Sequence, residues 1–314
     1  MLDTAPLSPD LCFGSIVRGL TLAQLDDQAT CEALRALWLD RGLIVFRGGD
    51  ASVDFQIELS KVFGPLVRHQ QADRLVEGRP ELLWLKSDPA NAITADVDGK
   101  RVVGLLPWHG DARWLAEPPH GAILRVHRMP SAGGETGFID LISTYDRLPD
   151  HLKHRIEHLE SEVRFSSDPK EIFRFQPHEV QVLDNGSAAR DLGARSDFPP
   201  IIQPMVYLQP ETGRKVLGFT PMPRQKVIGL SEEDSEALLY ALARHTTDER
   251  YAYFHRYEQD DLVLWDNLRM LHCGLGIPPG DEREIWRTTL APADYSIARA
   301  AEEGGFTWKS ATAS

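Results

Sequence analysis

Residues 102–111 read VVGLLPWHGD, and this stretch decides how the rest of the chain is interpreted. Its first six residues form a strand-like run, and His109 and Asp111 follow two positions apart. Side chains two apart lie on the same face of an extended strand, so both can reach a single metal ion. His272 lies more than 160 residues later. A second histidine from a distant strand would complete the 2-His-1-carboxylate triad of non-heme Fe(II) oxygenases.

The pattern is short, and a chain with 11 histidines can contain it by chance. A second copy, His158-Leu159-Glu160, follows Leu152 and Ile156 at a spacing that predicts a helix over 150–159. Residues two apart on a helix point to different faces, so this copy is not expected to chelate a metal. Taken alone, the first pair fits either metal ligands or ordinary strand and turn residues.

The composition is typical of a soluble globular protein. The 314 residues show no linker, repeat or low-complexity tract, which favours a single domain over 1–314. No run of 18 apolar residues and no N-terminal signal pattern is present, so no membrane contact is expected. The net charge of −13 argues against nucleic acid as a partner, yet allows an anionic substrate if arginines line a pocket. The composition also allows a homo-oligomer.

Three cysteines cannot form a disulfide framework, which favours a reducing, cytoplasmic environment. Cys273 adjoins His272 in the sequence. A thiolate ligand is one reading of this position, and packing on the opposite strand face is the other, because neighbouring strand residues face opposite ways.

The pattern of elements predicts a mainly β member of the α+β class. Helices are expected over 27–40, ending at Gly42, after Ser52, and after Ser231. From residue 100 onward short strands alternate with turns, including a hairpin over 201–219 and last strands over 261–266 and 283–290. Many short strands with a few outer helices favour a double-sheet jelly roll over a parallel sheet.

An irregular stretch of roughly 35 residues, over about 166–200, interrupts this pattern and is rich in Ser, Asp, Gly and Pro. Loops of this length in compact domains are usually active-site lids or disordered insertions, and a lid is the expectation here.

Two arginines follow His272. Arg283 and Arg287 share one face of a predicted strand, about 13 Å apart. If that face lines the interior, each guanidinium must meet an anion, because a buried unpaired charge is too costly. Arginine is suited to bidentate capture of a carboxylate.

Together these motifs resemble a known family. Trp-His-x-Asp, the turn Gly133-Gly134-Glu135-Thr136, Trp-Asp-Asn before His272, and Arg-x-x-x-Arg eleven residues after it are similar to the taurine/2,4-dichlorophenoxyacetate dioxygenase (TauD/TfdA-like) family. The resemblance runs from roughly residue 43 to 290 and implies a double-stranded β-helix. It also implies the cofactor Fe(II), with 2-oxoglutarate and O2 as cosubstrates.

The resemblance implies roles for seven residues. His109, Asp111 and His272 would bind iron, while Thr136 and Arg283 would hold the distal carboxylate of 2-oxoglutarate. The position of Arg287 often contacts an acidic group on the substrate in that family, and His69 aligns with a substrate-contacting histidine. Without the resemblance, Thr136 could be only a turn residue, Arg287 structural and His69 a surface residue.

The chain departs from the taurine enzymes near the substrate. Gln70-Gln71-Ala72 stands where those enzymes have Pro-Val-Tyr, and Leu105 where they have a polar asparagine. We therefore expect a small organic acid more apolar than taurine, carrying a carboxylate, sulfonate or sulfate. Hydroxylation of a C–H bond with release of succinate and CO2 is the expected reaction. Desaturation or cyclisation in a biosynthetic pathway is the alternative outcome of the same oxidant.

Two rivals come from other classes. His-x-Asp and His also suit Zn(II) with a bound water, as in a hydrolase, but that reading leaves Arg283 and Thr136 without a role. A catalytically silent jelly-roll binding protein would have no need of all three ligands.

Overall fold

The computed structural model describes residues 2–69, 74–87, 90–186, 198–222 and 224–301. In these ranges the helices are α1 (Gln28–Arg41), α2 (Val53–Phe63), α3 (Leu141–Arg147), α4 (Asp150–Ile156), α5 (Pro169–Ile172) and α6 (Glu232–Thr246), with 3-10 helices at Leu22–Asp26 and Glu249–Tyr251. The strands are β1 (Asp3–Pro6), β2 (Ser15–Arg18), β3 (Leu43–Arg47), β4 (Leu75–Val76), β5 (Arg79–Ser87), β6 (Thr94–Val97), β7 (Lys100–His109), β8 (Gly121–Arg128), β9 (Thr136–Asp140), β10 (Glu160–Arg164), β11 (Val180–Asp184), β12 (Ile201–Pro204), β13 (Val206–Leu208), β14 (Lys215–Leu217), β15 (Arg224–Val227), β16 (Tyr253–His255), β17 (Leu262–Asp266), β18 (Met270–Ile277), β19 (Arg283–Thr289) and β20 (Arg299–Ala300).

Two sheets dominate the fold. The major sheet has eight strands in the order β1-β2-β3-β17-β8-β19-β5-β4, and the minor sheet has six in the order β11-β6-β7-β18-β9-β16. A four-stranded sheet (β15-β10-β12-β20) and the β13-β14 hairpin accompany them. The β2–β3 pair is parallel, and the other strand pairs of the described residues are antiparallel. The predicted mainly β fold with a few helices is confirmed.

The alternation of side chains along the strands creates three apolar layers. Val45 and Leu124 of the major sheet pack with Phe138 and Met270 of the minor sheet, so the two sheets share a core. Residues whose side chains point to the other face of the major sheet, such as Ile44, pack against α1 and α2. The outer face of the minor sheet packs against α3, α4 and α6. Each fully buried large apolar side chain contributes about 1.5–3 kcal/mol, so these layers hold the strands in place.

Local signals fix the helix boundaries. The Asp27 side chain accepts a hydrogen bond from the Thr30 amide at the start of α1, and Gly42 ends the helix with a φ of 71°. A Cβ on Gly42 would lie 2.8 Å from Arg269 Nε, so glycine is required both for the left-handed turn and for this approach. The predicted helix over 27–40 with its stop at Gly42 is confirmed, as are the caps at Ser52 and Ser231.

Three expectations need correction. The helix predicted over 150–159 ends at Ile156, and Glu160 begins β10, because that residue pairs with Pro204 of β12. The stretch 166–200 is not irregular throughout, since it contains α5 and also β11, which pairs with β6; residues 187–197 lie outside the described part of the chain. The short strand β20 follows the strands expected to be last.

No helix in the described ranges combines the length and the apolar character needed to cross a membrane.

Candidate active site

The three predicted metal ligands converge at one end of the minor sheet. His109 is the last residue of β7 and lies opposite His272 of β18 in the strand register. Asp111 lies beyond the strand in a turn, where Ala112 has a φ of 51°. The expectation that His109 and Asp111 share a strand face is therefore wrong in its local geometry, because β7 ends first. The turn nevertheless brings the carboxylate to the histidines.

The distances between the donor atoms suit a shared ion. Asp111 Oδ1 lies 3.8 Å from His109 Nε2 and 3.7 Å from His272 Nε2. These separations are too long for hydrogen bonds and leave room for one ion between the three atoms. Among the described residues this is the one cluster of three or more His, Cys, Asp or Glu side chains whose ligand atoms all lie within 4.8 Å of one another.

The protonation states also suit a divalent cation. His109 Nδ1 lies 2.7 Å from the Pro107 carbonyl oxygen, and this contact fixes the tautomer that leaves Nε2 free. Burial lowers the pKa of His109, and burial together with His109 lowers the pKa of His272 to about 3. Burial alone would raise the pKa of Asp111, but Arg287 and the two histidines hold it well below its usual range. Two neutral imidazoles and one carboxylate form a donor set for Fe(II).

Cys273 does not belong to this cluster. Its side chain faces the outer core of the minor sheet, among the residues packed against α3 and α6. Burial raises the pKa of the Cys273 thiol, which disfavours the thiolate that a metal would bind. The packing interpretation of Cys273 is therefore the one that the structure supports.

Asn267 clamps the turn that carries Asp111. Its side-chain oxygen accepts a hydrogen bond from the Asp111 amide at 2.7 Å. Its side-chain nitrogen donates to the carbonyls of Asp111 and Pro119, each at 2.9 Å. Asn267 is fully buried, so these bonds do not compete with water. The sequence motif Trp-Asp-Asn contained this residue, but only the fold shows what its amide does.

Gly110 and Arg113 shape the same turn. Arg113 is buried and donates to the carbonyls of Asn267 and Leu268 at 3.3 and 3.1 Å. A Cβ on Gly110 would lie 2.6 Å from Arg113 Cγ, so the residue between the two predicted ligands must be glycine to admit this side chain. No sequence pattern had pointed to Arg113.

Arg287 lies against the carboxylate of Asp111. Its Nη2 is 2.6 Å from Asp111 Oδ2, while the other oxygen, Oδ1, is the one that faces the histidines. Its guanidinium carbon lies 5.5 Å from the centre of the Trp265 ring. Arg287 therefore orients Asp111 in this structure, a contact that the sequence did not predict. Its predicted contact with a substrate stays a prediction.

Arg283 and Thr136 meet in a buried pocket, as their shared role in the resemblance requires. Arg283 Nη2 lies 3.5 Å from Thr136 Oγ1 at the start of β9, and both residues are buried. Among the described residues no carboxylate lies within 4.0 Å of the Arg283 guanidinium, and its Nε has no hydrogen-bond partner. Burial lowers the pKa of Arg283, because the pocket solvates the cation poorly. A buried cation of this kind is ready to receive an anion.

His69 is half-buried, and its ring has no hydrogen-bond partner at Nε2. Burial, together with the positive charge of Arg287, lowers the pKa of His69 to about 4, so the ring is neutral near pH 7. Residues 70–73, which include all three substituted positions after His69, lie outside the described part of the chain. Leu105 is buried on β7.

The three donor residues match the 2-His-1-carboxylate set of non-heme Fe(II) oxygenases. The family described as "Taurine catabolism dioxygenase TauD, TfdA family" matches residues 3–289. The (S)-phenoxypropionate/alpha-ketoglutarate-dioxygenase of Sphingobium herbicidovorans is 31% identical over 290 residues, covering 92% of this chain and 94% of that protein. The alpha-ketoglutarate-dependent 2,4-dichlorophenoxyacetate dioxygenase of Cupriavidus pinatubonensis is 28% identical, covering 90% and 96%.

A crystal structure of a taurine dioxygenase from Burkholderia xenovorans has the same fold, with a TM-score of 0.72, 23% identity, and coverage of 96% of this chain and 95% of that chain. The chain belongs to the TauD/TfdA family. It is accordingly a 2-oxoglutarate-dependent dioxygenase that uses Fe(II) and O2.

Proposed function

We propose that this enzyme hydroxylates a C–H bond of a small, largely apolar organic acid. One oxygen atom of O2 enters the product alcohol, and the other enters succinate as 2-oxoglutarate loses CO2. The observation that carries the proposal is the pairing of two sites: a buried His109–Asp111–His272 donor set, and an Arg283 guanidinium that no described carboxylate neutralises.

The proposal gives each residue a task. His109, Asp111 and His272 would hold Fe(II), which supplies the site where O2 is activated. Arg283 and Thr136 would bind the distal carboxylate of 2-oxoglutarate, since a buried guanidinium binds a carboxylate with charge-assisted hydrogen bonds. The cosubstrate would thereby be held in one orientation before the substrate is attacked.

Arg287 and His69 would contact the acidic group of the substrate. Arg287 uses Nη2 and Nη1 on Asp111, at 2.6 and 3.4 Å, while its Nε has no partner. A substrate anion would therefore approach a guanidinium already engaged by the metal ligand. The neutral ring of His69 would add a hydrogen bond without repelling Arg287.

Apolar and aromatic groups near the site favour an apolar remainder of the substrate. Trp114, three positions after Asp111, packs edge-on against Phe165 with ring centres 4.9 Å apart. Phe198 lies 5.4 Å from Phe165, so the two ends of the 166–200 stretch meet at this cluster. The relatives named for phenoxypropionate and 2,4-dichlorophenoxyacetate make an aryloxy acid the first class to test.

The proposal also covers the architecture. We interpret the two facing sheets as a double-stranded β-helix and the whole chain as one catalytic domain, since the family match extends over residues 3–289. The 166–200 stretch would be the lid, and the small-molecule substrate would bind beneath it.

The test compares an acid with its neutral counterpart. Succinate release from 2-oxoglutarate is measured with Fe(II) and 2-phenoxypropionate, and then with the corresponding primary amide. Stimulation by the acid but not by the amide is expected, and Arg287→Ala should remove it while 2-oxoglutarate binding measured without substrate persists. Equal stimulation by the neutral amide, or unchanged kinetics of Arg287→Ala with the acid, would contradict the proposal.

A further inference from the structure

Tyr257 lies against both residues to which the proposed function assigns the distal carboxylate of 2-oxoglutarate. Its phenol oxygen is 3.0 Å from Thr136 Oγ1. The guanidinium carbon of Arg283 lies 5.2 Å from the centre of its ring. Tyr257 is buried, and neither its position in the sequence nor any motif had pointed to it.

The hydroxyl groups of Tyr257 and Thr136 can form one consistent chain of hydrogen bonds that ends at the pocket of Arg283. A threonine hydroxyl has one hydrogen to donate, and so has a phenol. Burial raises the pKa of Tyr257, so its phenol stays protonated and can donate to Thr136 Oγ1. The hydrogen of Thr136 is then left to point at an anion beside Arg283. If Tyr257 accepted from Thr136 instead, the hydroxyl of Thr136 would be turned away from that anion.

We propose that Tyr257 is a positioning residue for 2-oxoglutarate: its phenol orients the Thr136 hydroxyl, and its ring orients the Arg283 guanidinium. The inference rests on the proposed roles of Thr136 and Arg283. It adds a third residue that acts through them rather than by touching the iron ligands.

A buried network holds the Tyr257 ring in this orientation. His255 lies opposite Thr136 in the β16–β9 register, and its ring packs edge-on against Tyr257 with centres 4.5 Å apart. His255 Nε2 is 3.1 Å from Asp261 Oδ2, and both residues are almost fully buried. Arg47 donates to both oxygens of Asp261, at 2.9 and 2.6 Å.

Asp261, the carboxylate in this network, is held in its ionised form. Burial alone would raise the pKa of Asp261, but hydrogen bonds from Arg47 and the Glu258 amide, together with the nearby His255 ring, hold it at about 2. The carboxylate is therefore ionised near pH 7 and lies against the ring of His255. The chain of contacts runs from β3 through His255 to the pocket of Arg283.

The experiment measures binding without turnover. The dissociation constant of 2-oxoglutarate is determined by calorimetry on the Mn(II)-loaded enzyme, and KM and kcat are measured with Fe(II). Tyr257→Phe keeps the ring contacts and deletes one hydroxyl, so the variant is expected to fold. Its dissociation constant and KM for 2-oxoglutarate should rise about 3- to 10-fold, the range for one neutral hydrogen bond, with kcat little changed. Tyr145→Phe removes the phenol of another buried tyrosine, whose oxygen lies 3.5 Å from Lys215 Nζ; it is the matched control and should change neither constant.

Variants of Thr136 test the order of the hydrogen bonds. In a Thr136→Val background, Tyr257→Phe should have no further effect, because the acceptor of its phenol is gone. Thr136→Ser keeps that acceptor and should bind 2-oxoglutarate nearly as the wild type does, a result that does not depend on altering Tyr257. Equal losses from Tyr257→Phe in both backgrounds, or Thr136→Ser as weak as Thr136→Val, would overturn the inference.

The outcomes also separate this inference from the proposed function. If Thr136→Val and Arg283→Met both leave 2-oxoglutarate binding unchanged, the assignment of the pocket itself fails. If they weaken binding and Tyr257→Phe does not, the pocket stands and only the positioning role of Tyr257 is wrong.

Discussion

Replacing Arg283 by methionine should separate the stability of the protein from its affinity for 2-oxoglutarate. Arg283 is 7% exposed, and no carboxylate of the described residues lies within ion-pair distance of it. A buried cation without an anion is unfavourable in the free protein. Methionine fills a similar volume without the charge, so the free energy of unfolding of the free variant should not fall below that of the wild type.

The affinity of Arg283→Met for 2-oxoglutarate, in contrast, should fall. Removing one partner of a desolvated charge pair costs about 2–5 kcal/mol, which is roughly 30- to 4,000-fold in the dissociation constant. At 2-oxoglutarate one hundred times above the wild-type dissociation constant, the ligand stabilises the wild type by about 2.7 kcal/mol. After a 30-fold loss the same concentration stabilises the variant by only about 0.9 kcal/mol.

Thermal unfolding of the Mn(II)-loaded proteins measures both quantities. For a chain of this size, about 2.7 kcal/mol corresponds to a rise in Tm of roughly 4 °C, and about 0.9 kcal/mol to roughly 1 °C. Wild type and Arg283→Met should therefore melt alike without 2-oxoglutarate and differ by a few degrees with it. A variant that retains the full ligand-induced rise, or that melts several degrees lower when free, would refute the reasoning.

Two further predictions concern the turn that carries Asp111 and the exposed residue His178. Asn267→Ala removes the clamp on the Asp111 turn and should weaken Fe(II) binding about 10- to 100-fold in an anaerobic metal titration; unchanged affinity would contradict it. Burial alone would lower the pKa of His178, but Glu249 and Asp98 on its two ring nitrogens raise it. A raised folded-state pKa stabilises below the ordinary value of about 6.5, and the effect is lost as pH rises through the raised value. The Tm difference between wild type and His178→Gln should therefore be largest in acid and shrink in base, and a difference independent of pH would contradict this assignment.

The sequence predicted the regular elements well where local chemistry decides them. The stop of α1 at Gly42 and the caps at Ser52 and Ser231 follow from backbone conformation and side-chain hydrogen bonds within one turn. Strands such as β3 follow from short apolar runs. The segment that forms β11 was not predicted, because Val180–Asp184 is a strand only through its pairing with β6, more than 80 residues earlier in the chain.

For the candidate site, the sequence supplied residue types but not their partners. His109, Asp111 and His272 could be proposed together because histidine and carboxylate at this spacing have a specific chemistry, and the fold does bring them together. The argument was wrong in placing Asp111 on the strand. That residue lies in a turn, and Asn267, 156 positions away, holds this turn by a hydrogen bond. Contacts of that kind, including the one between Tyr257 and Thr136, leave no periodic trace in a sequence.

The most direct test of the central claim is Fe(II)-dependent succinate release by wild type, Asp111→Ala and His158→Ala in the presence of an aryloxy acid. The pair of His109 and Asp111 should be essential for turnover. The pair of His158 and Glu160 should be dispensable, because His158 lies outside the donor cluster. We therefore expect wild-type release from His158→Ala and none from Asp111→Ala. Release by Asp111→Ala with Fe(II) at the wild-type rate, or turnover of the acid with Zn(II) in the absence of 2-oxoglutarate, would contradict the account.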